Sequence, residues 1–352
     1  PTDIIPAFCL GADFEFYKYF MEDIGMKTEH YNQYLKDGIV DTPPVNHALS
    51  VAMNFDCDWY TWMPRLHFDS KKESMIDTWG SFQKILVRDN GIPHAWYSGP
   101  SLTSKKEIKA WWEKGRPKGY INLLLKGVKK TLRTLMKPKY NEFLMLVGLS
   151  GPYECISMSI GLGQLAKYCR KEPEFVREIL ERNFEVQGKG LEKLCKINPP
   201  IVMCGDDYGY VNGLQMPVKY WRQFIKPILK QYVEIVHNHD LKFILHSCGN
   251  IGAIFKDFVE LNIDGVESLQ PTINDLGYLK RKYGDKLALL GTIDDTDLLV
   301  NAEPADVKKK VTHQIKILGK NGGYIPGATN FLLNQKVENI IAMIDTIHTF
   351  NF

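Results

Sequence analysis

The sequence lacks a strong excess of charge of either sign. Its 44 basic residues are balanced by 41 acidic residues, for a formal net charge of +3. Domains that bind nucleic acid, and segments that bind anionic membranes, carry a clustered positive excess instead. Long hydrophobic runs are also missing, since a stretch such as Phe143 to Val147 is far shorter than the roughly 20 apolar residues that span a bilayer. We therefore expect neither a nucleic acid nor a membrane as a partner.

The chain also lacks the marks of an exported protein. Its first residues, Pro1 to Ile5, have neither the basic start nor the apolar run of a signal peptide. The seven cysteines, an odd number scattered between Cys9 and Cys248, do not form the closely spaced even set of a disulfide framework. We expect reduced thiols and a cytoplasmic protein.

Several common enzyme motifs are absent as well. No Gly-x-Gly-x-x-Gly follows a strand pattern, and the sequence contains neither a Walker A lysine loop nor a Gly-x-Ser-x-Gly elbow. Nucleotide-driven and serine-hydrolase chemistry therefore have no support. No repeat, low-complexity stretch or long linker divides the chain, so we predict a single domain over residues 1–352.

From about Pro138 onward, the chain alternates short apolar runs with longer helical patterns. This alternation is typical of βα units and of a mostly parallel sheet. The predicted strands are Phe143 to Val147, Ile201 to Met203, Phe243 to Leu245, Gly265 to Glu267, Leu287 to Leu290 and Gly323 to Ile325. The predicted helices, each opening on a proline that suits a first helical turn, are Pro173 to Cys195, Pro217 to His237 and Pro304 to Leu318. We predict an α/β fold, a single (β/α)8 TIM-like barrel.

The first half of the chain has weaker periodicity. Its candidate barrel strands are Val51 to Tyr60 and Ile92 to Trp96. Residues 1–75 are predicted to form a helical cap, the N-terminal elaboration of the barrel. Aromatic residues such as Trp59 and Trp79 are abundant in this half, and they either pack in the core or line a pocket for a flat substrate.

The segment His246-Ser-Cys248-Gly-Asn250 follows a predicted strand, at the end where parallel barrels place their active sites. Residues two apart on a strand point to the same side, so the imidazole of His246 and the thiolate of Cys248 can converge on one ion. Zinc prefers nitrogen and sulfur ligands of this kind. A buried histidine bonded to the backbone, beside a small packed cysteine, fits the same spacing equally well.

Carboxylates follow two other predicted strands. Asp206 and Asp207 are adjacent, and we expect one to serve the site and the other to cap a helix or brace the structure. Glu154 is a candidate metal ligand or proton donor. The segments Glu267 to Pro271 and Gly291 to Asp295 add hydrogen-bonding groups without a defined role.

Taken in order, four segments of the chain resemble the uroporphyrinogen decarboxylase superfamily. They are Gly151-Pro-Tyr-Glu154, Gly205-Asp-Asp-Tyr-Gly209, His246-Ser-Cys248-Gly-Asn250 and Gly323-Tyr-Ile-Pro-Gly-Ala-Thr-Asn330. The resemblance begins near residue 75, with Asp77-Thr-Trp-Gly80 and Gly99-Pro-Ser-Leu-Thr103, and it implies a single TIM-like barrel. The Arg-Gln-Ala-Gly-Arg stretch with which porphyrinogen decarboxylases bind substrate carboxylates is absent. The resemblance therefore points to the relatives that move methyl groups to or from a corrinoid protein.

Within that branch, the coenzyme M methyltransferases hold zinc through His-x-Cys and a second cysteine in a Pro-Gly-Cys. His246 and Cys248 match this pattern, but Pro326-Gly327 is followed by Ala328. The resemblance then implies a carboxylate as the missing ligand, with Asp206 and Glu154 as candidates. Such a site resembles that of the methyltransferases that demethylate methoxylated aromatic compounds.

The resemblance implies a full set of site residues. Zinc is assigned to His246, Cys248 and Asp206, catalysis to Glu154 and Asp207, and substrate binding to Tyr208, Asn250 and Gln270.

The resemblance also implies the reaction. The methyl group of a small aromatic methyl ether passes to the cob(I)alamin of a separate corrinoid protein, because the chain has no Asp-x-His-x-x-Gly motif for holding a corrinoid itself. Three alternatives stay open: methyl transfer to a thiol or pterin, a metal-free decarboxylase-type lyase acting on a non-porphyrin acid, and a non-catalytic binding protein. The oligomeric state is also open, with a homodimer as one option.

Overall fold

A computed structural model describes residues 5–10, 46–61, 73–77, 79–87, 93–114, 143–330 and 332–352, together with a few isolated positions between these ranges. In chain order its strands are β1 (Phe8–Cys9), β2 (Cys57–Thr61), β3 (Ser74–Ile76), β4 (Ser81–Val87), β5 (Pro93–Pro100), β6 (Leu144–Ser150), β7 (Ile201–Gly205), β8 (Gly209–Tyr210), β9 (Gly213–Leu214), β10 (Lys242–His246), β11 (Gly265–Glu267), β12 (Ala288–Leu290) and β13 (Tyr324–Ile325).

The main sheet has eight strands, which neighbour one another in the order β1, β2, β6, β7, β10, β11, β12 and β13. All of its strand pairs are parallel. The sheet closes on itself, because Phe8 pairs with Gly327 beyond β13 and the Phe8 amide donates a hydrogen bond of 2.9 Å to the Pro326 carbonyl. A closed sheet of eight parallel strands with helical connections is a (β/α)8 barrel, which confirms the predicted fold class.

Helices connect the strands. In chain order they are Asn46–Ala52, Lys105–Lys114, Pro152–Ile160, Leu162–Lys171, Pro173–Cys195, Val218–Tyr220, the π-helical Trp221–Ile225, Lys226–His237, the 3₁₀ turn Gly252–Ile254, Phe255–Glu260, Leu276–Tyr283, Leu298–Asn301, Pro304–Leu318 and Val337–Thr349. The predicted helices that open on Pro173 and Pro304 are confirmed with the same bounds. In the described part of the chain, no helix combines the length and the apolar character that crossing a membrane requires.

The alternation of side chains along the strands separates two apolar clusters. The smaller cluster fills the barrel interior and comprises Phe8, Leu10, Cys57, Leu146, Met203, Ile244 and Leu290. The larger cluster includes Phe243 and Leu245, the neighbours of Ile244 on β10, which therefore face the helices. Because Ile244 faces inward, His246 two residues further on points into the mouth of the barrel.

The N-terminal part differs in detail from the sequence-based expectation. The region Val51 to Tyr60 contributes β2 to the barrel, as predicted. Ile92 to Trp96 does not, since β5 belongs to a separate antiparallel sheet with β3 and β4. The link between β4 and β5 is too short for the crossover that a parallel neighbour needs, so these strands form a hairpin. Of the predicted cap over residues 1–75, Asn46–Ala52 is helical, β1 and β2 belong to the barrel, and most of the rest lies outside the described residues.

Candidate metal centre

His246 ends strand β10 and is 8% exposed. Its register partner on the neighbouring strand is Glu267, and the His246 Nδ1 and Glu267 Oε2 atoms share a short hydrogen bond. Burial opposes protonation of the imidazole, but the charges of Glu267 and Cys248 outweigh this effect and hold the pKa of His246 well above its usual value. With Nδ1 held by Glu267, Nε2 is the ring nitrogen that faces the barrel mouth.

Asp207, His246 and Cys248 converge around that nitrogen. The distance from His246 Nε2 to Asp207 Oδ1 is 3.5 Å, and from Nε2 to Cys248 Sγ it is 3.7 Å. All three ligand atoms lie within 4.8 Å of one another. Ligands bound tetrahedrally to zinc at about 2.0–2.3 Å lie about 3.3–3.8 Å apart, so small side-chain movements suffice to enclose an ion. The site can hold a zinc ion with one imidazole, one thiolate and one carboxylate.

The three residues also leave room for a further ligand. Cys248 is half-buried and the Asp207 side chain is 34% exposed, whereas the Glu267 side chain behind them is fully buried. Catalytic zinc sites keep one coordination position open for water or substrate. The site of Asp207, His246 and Cys248 is closed on the side of Glu267 and open toward the barrel mouth, so a fourth ligand can enter from the mouth.

The loop that carries Cys248 is fixed by close contact between two glycines. Gly209 donates its amide proton to the Cys248 carbonyl over 3.2 Å, and a Cβ atom at Gly209 would lie 2.7 Å from that carbonyl oxygen. A Cβ atom at Gly249, whose φ is +82°, would overlap the backbone of Gly209. The Cys248 amide in turn donates a hydrogen bond of 2.7 Å to Asp207 Oδ1. Backbone contact between these two loops thus brings Asp207 and Cys248 together.

Asp206 lies elsewhere, although the sequence favours it as a ligand. Its buried carboxylate accepts hydrogen bonds from the backbone amides of Tyr153 at 3.1 Å and Glu154 at 2.6 Å. It therefore caps the N-terminus of the helix Pro152–Ile160. Burial raises its pKa to about 7 against the opposing effect of these hydrogen bonds. The geometry favours Asp207 as the carboxylate of the metal site and Asp206 as the brace.

Glu154 lies in the first turn of that capped helix. Burial raises its pKa to about 8, and the negative charges of Asp207 and Asp206 add to the shift. A carboxyl group with such a pKa holds a proton at neutral pH and can donate it. Glu154 is thus suited to act as an acid, and its helix is held by Asp206, the residue next to Asp207 in the chain.

The three residues predicted to bind substrate have other contacts. Tyr208 is 1% exposed and its ring packs against Tyr153, Trp221 and Phe258. Gln270 accepts a hydrogen bond of 2.8 Å from the Gly249 amide, so it braces the Cys248 loop. Asn250 is half-buried, and its backbone amide donates a hydrogen bond of 2.8 Å to the Tyr210 carbonyl. Tyr208 is closed to a substrate in this structure, whereas Asn250 lies on the same loop as Cys248.

Sequence reasoning gave Glu267 and Ser268 no defined role, whereas the structure brings Glu267 to His246 and Ser268 to Cys248. Glu267 ends a predicted strand and Ser268 follows it, but neither belongs to a motif that separates it from the other polar strand ends. Sequence reasoning counted Tyr97 on β5 among the aromatic residues that either pack in the core or line a pocket, and it did not single out Tyr210 on β8. Burial raises the pKa of Tyr97, and the nearby Asp77 and Tyr210 add to the shift. The Tyr97 hydroxyl donates a hydrogen bond of 3.1 Å to the Met158 carbonyl in the helix that carries Glu154.

A family profile of uroporphyrinogen decarboxylase (URO-D) matches residues 98–350, well over half of the chain. The chain belongs to the uroporphyrinogen decarboxylase family. Curated uroporphyrinogen decarboxylases from Coxiella burnetii strains are 22% identical over 242 residues, which are 66% of this chain. The chain spans 63% of the length of these relatives.

A solved structure described as a methyltransferase from Methanosarcina mazei has the same fold as this family member. It superimposes with a TM-score of 0.67 at 16% sequence identity, over 99% of this chain and 94% of that chain. The likeness agrees with the TIM-like barrel that the resemblance implies.

Proposed function

We propose that this protein is a zinc-dependent methyltransferase that takes a methyl group from a methoxylated aromatic compound and delivers it to the cob(I)alamin of a separate corrinoid protein. The observation that carries the proposal is the convergence of Asp207, His246 and Cys248 at the mouth of the barrel. The fold shared with a protein described as a methyltransferase supports the same reading.

The donor set of the site favours activation of an oxygen atom. The position of Ala328, where the resemblance places a second cysteine, leaves one thiolate, and Asp207 provides a carboxylate instead. A site with one sulfur ligand and one oxygen ligand is harder than a site with two sulfur ligands. Zinc held there would act as a Lewis acid toward an ether oxygen.

The reaction needs a proton as well as a methyl acceptor. As the methyl carbon bonds to the cobalt of the partner protein, its bond to the ether oxygen breaks and the bonding electrons stay on that oxygen. The resulting phenolate is a strong base, because phenols of this kind have a pKa of about 10. Glu154, whose pKa burial raises to about 8 in the metal-free protein, would donate the proton that completes the phenol.

Two exposed tyrosines support an aromatic substrate, one bonded to the helix of Glu154 and one beside the Cys248 loop. Tyr210 is 55% exposed and Tyr97 is 37% exposed. The Tyr97 hydroxyl donates a hydrogen bond to the Met158 carbonyl in the helix that carries Glu154, and the Tyr210 carbonyl accepts one from the Asn250 backbone amide on the Cys248 loop. Exposed aromatic rings can stack on a flat substrate at a site whose polar groups face the ether oxygen.

The first experiment tests the metal. Protein purified without chelator is assayed for zinc by elemental analysis, in parallel with Asp207→Ala, His246→Ala and Cys248→Ala. We expect near-stoichiometric zinc in the wild type and a large loss in each variant. Cys169→Ala is the matched control, because Cys169 is a buried cysteine on the helix Leu162–Lys171. Zinc-free wild-type protein that cannot be reloaded with zinc would refute the proposal.

The second experiment tests the reaction. Zinc-loaded protein is mixed with a reduced corrinoid protein and a panel of methoxyarenes, and absorbance is followed for conversion of cob(I)alamin to methylcobalamin. We expect conversion with at least one methoxyarene. With Glu154→Gln, we expect the conversion of the same methoxyarene to be slower than with the wild type. Zinc binding without conversion by any methoxyarene, together with demethylation of methylcobalamin by a thiol or pterin, would favour the reverse direction of transfer.

A further inference from the structure

Glu267 and Ser268 are consecutive residues at the end of strand β11, and each contacts one residue of the His246/Cys248 pair. Glu267 is bonded to His246 Nδ1, and Ser268 Oγ lies 3.1 Å from Cys248 Sγ. Consecutive residues of a strand point to opposite faces. The backbone of Ser268 has a φ of +71°, in the left-handed region that a non-glycine residue rarely adopts. This conformation breaks the alternation and brings both side chains to the same site.

The Glu267 carboxylate is buried with one of its two oxygens bonded to His246. It is fully buried, and its Oε1 atom has no hydrogen-bond partner among the described residues. A Cβ atom at Gly291, on the next strand end, would overlap this oxygen. A buried carboxylate without a full set of partners costs stability unless a positive charge nearby offsets it. The imidazole, and an ion bound to its other nitrogen, supply that charge.

The Ser268 hydroxyl has one proton and two neighbours. Its oxygen lies 2.8 Å from the Thr329 carbonyl and 3.1 Å from Cys248 Sγ. A protonated thiol can donate to Ser268 Oγ while the hydroxyl donates to Thr329. A metal-bound thiolate carries no proton, so the hydroxyl is then the donor available to the sulfur.

We infer that Glu267 and Ser268 are positioning residues for the metal site, Glu267 by orienting the imidazole of His246 and Ser268 by hydrogen bonding to the sulfur of Cys248. This inference rests on the proposed metal-dependent function. A hydrogen bond to a thiolate reduces its electron donation to the ion. The ion then stays electrophilic despite its sulfur ligand, which suits a site that activates an ether oxygen.

Cobalt(II) titration of the metal-stripped protein tests both parts, because sulfur ligation gives a charge-transfer band in the near ultraviolet. Ser268→Gly and Ser268→Ala both remove the hydroxyl, and glycine adopts a positive φ without strain. We expect the band to move to longer wavelength by the same amount in both variants, because an unbonded thiolate holds its electrons less tightly. Ser159→Ala is the matched control, since Ser159 is also buried and also donates to a backbone carbonyl.

For Glu267 the expected effect is on affinity. Glu267→Gln keeps the shape of the side chain but removes its charge, and substitutions of groups that orient metal ligands cost about 10- to 100-fold in metal affinity. The charge-transfer band of this variant should keep its wild-type position, because the sulfur is untouched.

The outcomes separate the two proposals. A wild type that binds cobalt, with an unmoved band in both Ser268 variants, overturns the role of Ser268. Unchanged cobalt affinity in Glu267→Gln overturns the role of Glu267, and in both cases the proposed metal-dependent function stands. A band that moves in Ser268→Ala but not in Ser268→Gly reports backbone strain rather than hydroxyl loss, and also overturns the inference. A wild type that binds no cobalt overturns the proposed function and the inference together.

Discussion

The backbone amide of Glu154 donates a hydrogen bond of 2.6 Å to the carboxylate of Asp206. Gly151 at the start of the same helix allows this approach, since a Cβ atom there would overlap the Asp206 carboxyl carbon. Asp206 thus fixes the helix that carries the proposed acid, while the adjacent Asp207 turns to the metal ligands. Two neighbouring carboxylates serve the site in different ways, one through the backbone and one directly.

The two aspartates should therefore respond differently to substitution. Asp206→Ala removes a helix cap and should lower the free energy of unfolding by about 1 to 2 kcal/mol, measured by denaturant unfolding of the metal-free protein. Asp207→Ala should change that stability much less but should abolish stoichiometric zinc binding. Equal zinc loss in both variants, at equal stability, would contradict this division.

Contact between Gly249 and Gly209 predicts a large effect of a single methyl group. Gly249→Ala places a Cβ atom in the Gly209 backbone, so stability and zinc content should both fall. Gly213→Ala is the matched control, because Gly213 also has a positive φ, +144°, but its Cβ atom would meet no atom within 4 Å. The control should show only a conformational cost of about 1 to 3 kcal/mol and should keep its zinc. Retention of zinc by Gly249→Ala would show that this contact does not set the Cys248 loop.

The pKa of Glu154 predicts a pH dependence of stability for the metal-free protein. This pKa is raised from 4.5 to about 8 in the folded state, so between these pH values the folded protein holds a proton that the unfolded chain has released. Stability from this group is therefore present at low pH and is lost as the pH rises toward about 8. As the pH rises from 5.5 to 8.5, the stability of Glu154→Gln should therefore fall less than that of the wild type. Thermal unfolding in the presence of chelator measures both.

Zinc should change this behaviour. A cation at Asp207 offsets the negative charge that helps to raise the pKa of Glu154, so the loaded protein should show the transition at lower pH. If stability changes with pH equally in the wild type and in Glu154→Gln, with or without zinc, Glu154 does not titrate in this range.

The position of Tyr210 predicts a role in substrate binding rather than in folding. Tyr210→Ala should raise the KM for an active methoxyarene by about 2- to 10-fold, the equivalent of one aromatic pair, with little change in kcat or in thermal stability. Tyr278→Ala is a suitable control, because this tyrosine is 44% exposed on the helix Leu276–Tyr283. An equal effect of both variants on KM would remove Tyr210 from the substrate site.

Much of the barrel could be predicted from the sequence. The strands from Phe143 onward and the helices that begin at Pro173 and Pro304 follow from local apolar patterns and from proline at the first helical turn. The pattern failed for Ile92 to Trp96, because a short apolar run reads the same in a barrel strand as in a hairpin. The short link between β4 and β5 made this segment pair with β4 in a hairpin.

The sequence by itself predicted that His246 and Cys248 would share one side of a strand end, because side-chain direction repeats every two residues along a strand. It also predicted that one of Asp206 and Asp207 would serve the site and that the other would cap or brace. Only the tertiary structure decided which one, because the answer depends on where the helix Pro152–Ile160 places its free amides and on the contact of Gly209 with Gly249. The same holds for Glu267 and Ser268, whose contacts with His246 and Cys248 depend on strand pairing and on one left-handed residue.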